Sequence, residues 1–174
     1  MRITEKDLTT LRFRPDIIIG IDPDIILSGV AILDKGTKSL ELRSLSFAKV
    51  IDLLIWICGQ DKKILVCVEA GWLNEGNWHL NKRDNSRTAA AKGKAVGANH
   101  DVGKRIVEMC EHWGVMAEKV RPLHKCWKGA NRKITHEEFC EVTGYKGRTN
   151  QETRDAGLIA WNRAGFPIKI RVSR

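Results

Sequence analysis

Residues 17–34, IIIGIDPDIILSGVAILD, constrain this chain more than any other stretch. They open on Ile17-Ile18-Ile19-Gly20-Ile21, a β-branched run that reads as a strand buried on both faces. The run ends on Asp22-Pro23, which holds a carboxylate at the exit of a core strand. Ser28-Gly29 then turns the chain into a second apolar run, Val30-Ala31-Ile32-Leu33, which reads as an antiparallel return. A carboxylate taken out of water has to find a partner or a metal. The rest of the chain is therefore read for acids that converge on Asp22.

Taken in order, residues 1–15 precede the first strand as a short helix or arm. Strands are expected at 16–22, 29–33 and 40–47, an antiparallel three-stranded start. Val50, Ile51, Leu54, Ile55 and Cys58 recur at helical spacing and Gly59 closes that helix. Residues 64–69, ILVCVE, form another buried strand that ends on an acid, Glu69. The helix before it makes a crossover, so this strand should lie parallel to a neighbour. Residues 71–85 are polar and irregular. Residues 86–113 read as a long helix with Val102, Ile106, Met109 or Cys110, and Trp113 on one stripe. Gly93, Gly97 and Gly103 predict a break in it or a close helix contact. A fifth strand at 115–120 leads to a basic loop at 121–133. A helix at 135–142 carries a capping box, Thr135 with Glu138, and Thr149 or Asn150 caps a last helix that runs to Ala164.

The architecture is thus α/β, a five-stranded mixed sheet with three antiparallel strands followed by parallel ones. At 174 residues the chain is expected to form one domain. Five scattered cysteines fit reduced thiols. The first residues carry no apolar core of a secretory signal, so the expected setting is cytoplasmic. A formal charge of +9 calls for an acidic partner, and nucleic acid is the commonest. A membrane partner lacks both a long apolar run and a basic amphipathic helix.

Asp22 and Glu69 each close a buried strand, and Asp155 lies in the first turns of the last helix with Glu152 three residues before it on the same face. Singly, each is an ordinary strand end or helix-cap acid, Glu152 above all, because acids are favoured near a helix N-terminus. Jointly, acids packed at one sheet edge raise each other's pKa unless a cation neutralises them, which points to Mg²⁺ or Mn²⁺. A pair of such ions ~4 Å apart activates water and stabilises the leaving oxygen of a phosphodiester.

Gly20-Ile21-Asp22-Pro23 with Ser28-Gly29-Val30-Ala31, then Val68-Glu69, then Glu152 and Asp155-Ala156 resemble the RuvC family of Holliday junction resolvases, in the same order over residues 16–161. The resemblance implies an RNase H-like fold. It also implies a homodimer that nicks two strands of a four-way DNA junction symmetrically with divalent metal and no small-molecule cofactor. Asp22, Glu69 and Asp155 fall on the family's core metal ligands, and Glu152 on a fourth acidic position that is more often Asp or His. The family usually has Gly where this chain has Asp24, which reads better as a turn residue than as an added ligand. A lysine of the family's corresponding loop assists at the scissile phosphate, and here Lys125, Lys128 and Lys133 compete for that role.

Lys82, Arg83, Arg87, Lys92 and Lys94 follow the Glu69 strand, and Lys128, Arg132 and Lys133 belong to a second basic cluster. Charge runs are commonly only solvated faces, but their place beside the acids suits phosphate contacts. Trp72 and Trp78 either stack on unpaired bases or pack under the loop, whereas Trp56, Trp113 and Trp161 read as core. The small residues Gly93, Ala95 and Gly97 would let two helices approach at a dimer seam. His124 with Cys126, and His136 with Cys140, lack the spacing of structural zinc sites.

Other classes fit less well. A nuclease acting on RNA–DNA hybrids or flaps would use the same acids. A sugar kinase or actin-like ATPase needs a second domain and a second phosphate loop. A non-catalytic nucleic-acid-binding module would be expected to lose a core acid. If the basic clusters form the footprint, the dissociation constant for DNA rises steeply with salt, because each phosphate contact releases counterions. A titration from low to physiological salt checks this, and a flat response would remove the clusters from the footprint.

Overall fold

The computed structural model describes residues 13–74 and 85–168. Residues 1–12, Trp78, Lys82 and Arg83, named from the sequence, lie outside them. Five strands form one mixed sheet in the order β3-β2-β1-β4-β5: β1 (Ile17–Asp22), β2 (Ser28–Asp34), β3 (Leu40–Leu45), β4 (Ile64–Glu69) and β5 (Ala117–Val120). The first three pair antiparallel, and β4 joins β1 and β5 in parallel. The helices are α1 (Phe47–Cys58), α2 (Ser86–His112), α3 (His136–Thr143) and α4 (Gln151–Arg163). This is the mixed-sheet, helix-flanked arrangement expected of an RNase H-like fold. Among the described residues no helix is long and apolar enough to cross a membrane.

Strand β1 is central because its β-branched residues have to be covered on both faces. Successive side chains alternate across the sheet. Ile17, Ile19 and Ile21 join Val66 and Val68 in a core sealed by Val50, Leu54 and Ile57 of α1 and Ile106, Val107 and Cys110 of α2. Ile18, Ala31, Leu65 and Cys67 face the other way, against Ala156, Ile159, Ala160 and Trp161 of α4. By the same alternation Gly20 and Asp22 belong to the α4 face of β1, and Glu69 to the α4 face of β4. A slip of one residue in β1 would turn Asp22 away from α4.

On that face the sheet is paved with small residues, and α4 lies directly on them. A methyl group built on Gly20 would stand 2.2 Å from the Ala156 carbonyl oxygen. One on Gly29, the β2 partner of Asp22, would stand 2.0 Å from the Glu152 carbonyl oxygen and 2.9 Å from the Thr153 nitrogen. The obstacles are helix backbone and cannot rotate aside. Helix α4 is therefore seated at the level of Asp22 by two absent side chains.

Several details differ from the sequence reading. The turn after β1 is made by residues 23–27, and Ser28 already belongs to β2, fully buried. Strand β3 stops at Leu45, since Phe47 begins α1. Helix α2 is unbroken over 27 residues. Gly93 and Gly97 face open space, and only Gly103 is closely approached, by Trp72 and Pro23. Trp56 is 52% exposed and not core, because α1 uses Val50, Leu53, Leu54 and Ile57 for its buried face. All five cysteines are free thiols.

Gly29→Ala should destabilise the fold by ~3 kcal/mol or more, because overpacking here meets backbone. Gly97→Ala, on an open helix face, should be neutral or stabilise by up to ~1 kcal/mol. Urea unfolding of both variants checks the contrast. Equal effects would refute the seating of α4 on Gly29.

Candidate active site

Asp22 and Glu69 end adjacent parallel strands at matched height, since Ile21 pairs with Val68 in the ladder immediately before them. Helix α4 supplies the third acid. It starts where Asn150 caps it: the Asn150 side chain accepts from the Thr153 amide at 2.9 Å, and the Thr153 hydroxyl accepts from the Asn150 amide at 3.0 Å. The Asn150 side-chain amide also donates to Ser44 Oγ of β3 at 2.8 Å, which ties the helix start to the sheet. Thr149, the other capping candidate, instead accepts from Arg154 at 3.0 Å. With the cap anchored and the backbone seated on Gly29 and Gly20, Glu152 and Asp155 arrive beside the strand ends.

The charges interact as a group. Burial, followed by the like charges of Glu69, Asp155 and Glu152, pushes the Asp22 carboxyl well above its ordinary value, and Lys133 opposes the rise. Burial and the charge of Asp155 push Glu69 up to about 7, against Lys125 and Lys133. Burial also raises Asp155, opposed by its hydrogen bond from Gln151 and by Lys133, Lys125 and Arg154. Lys125 and Lys133, with His124 and Trp127, line a pocket that also contains Glu69 and Asp155. Lys128, the third lysine of that loop, is not among the residues lining it.

The basic loop is held in shape by one buried acid. Glu138 accepts from the Lys128 amide at 3.1 and 3.2 Å and from the Thr135 amide at 3.1 Å. The Gly129 amide donates to the Lys133 carbonyl at 3.0 Å, where any side chain would stand 2.4 Å from that oxygen. Asn131 and Arg132 take left-handed backbone angles to complete the turn. Ile134, nearly fully buried, then pins Lys133 beside the acids. The capping box read at Thr135 and Glu138 is present, and the same carboxylate also organises the loop.

Sequence reasoning missed Gln151 and Arg154. Gln151 Nε2 donates to Asp155 Oδ1 at 2.8 Å. Arg154 donates to Gln151 Oε1 at 3.0 Å and, through Nε, to the Ile134 carbonyl at 3.0 Å. This chain links Asp155 to the root of the basic loop. Its signal was present in the sequence: a glutamine four residues before the acid shares its helix face.

The other named residues are spread more widely. Arg87, Lys92 and Lys94 lie in the first turns of α2, and Arg132 is exposed on the loop. Trp72 is packed, half-buried, against the α1/α2 core, edge-on to His100 with ring centroids 6.1 Å apart. Asp24 is a turn residue: Oδ1 accepts from the Ile26 amide at 2.8 Å, and Oδ2 accepts from Asn99 Nδ2 at 3.1 Å. The His136 ring lies 2.9 Å from Thr149 Oγ1 and 3.6 Å from Cys140 Sγ.

The oxygen-only donor set and the mutual repulsion of Asp22, Glu69 and Asp155 fit a hard divalent cation. Among the described residues no three His, Cys, Asp or Glu side chains are gathered into a shell that closes on an ion. As they stand, the carboxylates share a charge problem, and Asp155 spends one oxygen on Gln151.

No protein-family model matches the sequence, and no curated protein sequence does. Among solved structures the chain is similar to RuvC of Thermus thermophilus in complex with a Holliday junction substrate. The identity is 16% over 86% of this chain and 96% of that one, with a TM-score of 0.45. A second structure of the Thermus thermophilus protein gives 17%, 86%, 97% and 0.44.

Glu69 also makes stability depend on pH. A carboxyl raised in the folded state contributes stability that is present below its unfolded value and lost as pH rises through the folded one. Without divalent cation, stability should therefore fall between about pH 4.5 and 7. Glu69→Gln should remove part of that fall, up to about 3 kcal/mol. Urea unfolding of both proteins across this window checks it, and parallel curves would refute the coupling.

Proposed function

We propose that this protein is a metal-dependent endonuclease that cuts four-way DNA junctions, acting as a homodimer that nicks two strands. The observation that carries the reading is the convergence of Asp22, Glu69 and Asp155 on the α4 face, with Lys125 and Lys133 lining a pocket together with Glu69 and Asp155. The ordered motifs that resemble the RuvC family support the choice of branched DNA and of two copies.

Asp22, Glu69 and Asp155 would hold Mg²⁺ or Mn²⁺, with Glu152 alongside. Such an ion, when bound, supplies positive charge against the phosphate and the activation of water. The chain's own groups do the rest. The carboxylates, poorly solvated and mutually repelling, favour a cation over protons as pH rises. Gln151 orients Asp155 and ties it through Arg154 to the loop that presents Lys133. Lys133 and Lys125 lie where charge builds on a phosphate brought to the acids, which is the usual place for electrostatic stabilisation of a transition state. Lys128 and Arg132 on the exposed loop, and Arg87, Lys92 and Lys94 on α2, extend the positive surface that holds the backbone in register.

Asp22→Asn should lower cleavage of a synthetic four-way junction by roughly a thousandfold. Binding of the same junction should stay within about threefold, since the carboxylate holds metal and not DNA. Cleavage gels with and without Mg²⁺ and a mobility-shift titration test both parts. Full Mg²⁺-dependent cutting by Asp22→Asn would overturn the site. Matched linear, flap and RNA–DNA hybrid substrates test the junction preference, and preferred cutting of a hybrid would move the protein to that class.

A further inference from the structure

The turn between β1 and β2 presents Ile25, Ile26 and Leu27 to solvent at 59%, 75% and 46% exposure. The exposed tip begins three residues after Asp22 and the chain returns to the sheet at Ser28, so it stands at the end of β1 that carries the acid. Its shape is set without using these side chains. Asp24 Oδ1 accepts from the Ile26 amide at 2.8 Å and the Leu27 amide at 3.4 Å. The Ile25 amide donates to Asn99 Oδ1 of α2 at 3.0 Å, and Asn99 Nδ2 returns a bond to Asp24 Oδ2 at 3.1 Å. The Asp24 amide donates to Ser28 Oγ at 3.1 Å. All three tip amides are thus satisfied, and none of the three aliphatic side chains belongs to a core cluster. Neither turn geometry nor core packing accounts for three exposed aliphatics in a braced turn beside a carboxylate cluster.

We propose that Ile25, Ile26 and Leu27 form an apolar wedge that enters the branch point of the bound DNA and unstacks bases beside the carboxylates. The proposal rests on the nuclease reading above and names the part of the substrate that this element reads. Charge identifies the occupant. The turn is bonded to α2 at Asn99, and Lys92, two helical turns back, lies on the same helix face, with Arg87 and Lys94 nearby in sequence. An apolar tip braced against a helix that carries Lys92 on the same face, and standing at the strand end that bears Asp22, matches a polyanion whose bases expose apolar faces where stacking is interrupted. Aliphatic side chains inserted at base steps unstack them in this way. The bonds from Asp24 and Asn99 keep the wedge from folding back, so little ordering is left for the moment of binding.

The test uses the full chain in the absence of divalent cation, so that binding is read without cutting. The probes are a synthetic four-way junction with 2-aminopurine next to the branch point and a linear duplex carrying the same base. The wild type should raise the junction's fluorescence and leave the duplex unchanged. Ile25→Ser/Ile26→Ser, or Ile26→Ser alone, should abolish most of that rise and weaken junction binding by about tenfold, with duplex binding unchanged. Ile26→Leu should restore both. The proposal is overturned if the serine variants keep the wild-type rise. It is equally overturned if they instead lose self-association, or binding to anionic lipid vesicles, while the rise persists. A wild type that binds and cuts junctions without any fluorescence rise sinks the wedge and leaves the nuclease reading intact. A wild type that neither binds nor cuts them removes the nuclease reading itself.

Discussion

The contact between the backbone of α4 and Gly20 and Gly29 is the constraint on which the rest of the site depends. A helix approaches a sheet this closely only where the sheet has no side chains, and here the two gaps flank Asp22. The approach delivers Glu152 and Asp155 to the ends of β1 and β4. It also buries the carboxylates enough for their charges to interact at low effective dielectric. The small residues of this face are therefore as much a part of the site as the acids. They contribute nothing to chemistry and decide its geometry.

The electrostatic balance that results leaves the acids only partly neutralised. Burial and neighbouring carboxylates push Asp22 and Glu69 up, burial pushes Asp155 up, and the opposing lysines, Lys125 and Lys133, come from one loop. That loop is itself held by Glu138, an acid that spends its charge on backbone amides. Acids thus play two roles in one fold. Glu138 is saturated by hydrogen bonds and serves structure, while Asp22 and Glu69 are left with charge to spare. The difference in partners, not in residue type, separates scaffold from site.

Asp24 shows how a local substitution can be reassigned by its neighbours. As a carboxylate two residues from Asp22 it invites inclusion in a metal shell. Its oxygens are in fact occupied by the amides of Ile26 and Leu27 and by Asn99, so its charge is consumed in bracing an apolar turn against α2. Asn99 lies 75 residues away in sequence, and no local pattern connects the two.

The sequence by itself determined the strand core, the acids at the strand ends, the parallel crossover into β4 and the helix caps. These follow from signals within a few residues of one another: a β-branched run, an acid closing it, a threonine three residues before a glutamate. It also named Asp22 and Glu69, because an acid ending a buried strand is conspicuous wherever it stands, and Asp155, which shares a helix face with Glu152. Only the tertiary structure decided which of three lysines lines the pocket with the acids, since Lys125, Lys128 and Lys133 differ in what the loop's long-range bonds do to them. It alone exposed Trp56, packed Trp72 and left Gly93 and Gly97 in the open, because which face of a helix is covered depends on neighbours from elsewhere in the chain. Gln151 and Arg154 acquire meaning only once Ile134 is brought to them. Periodicity and charge act along the chain, whereas a site is made of what the fold brings across it.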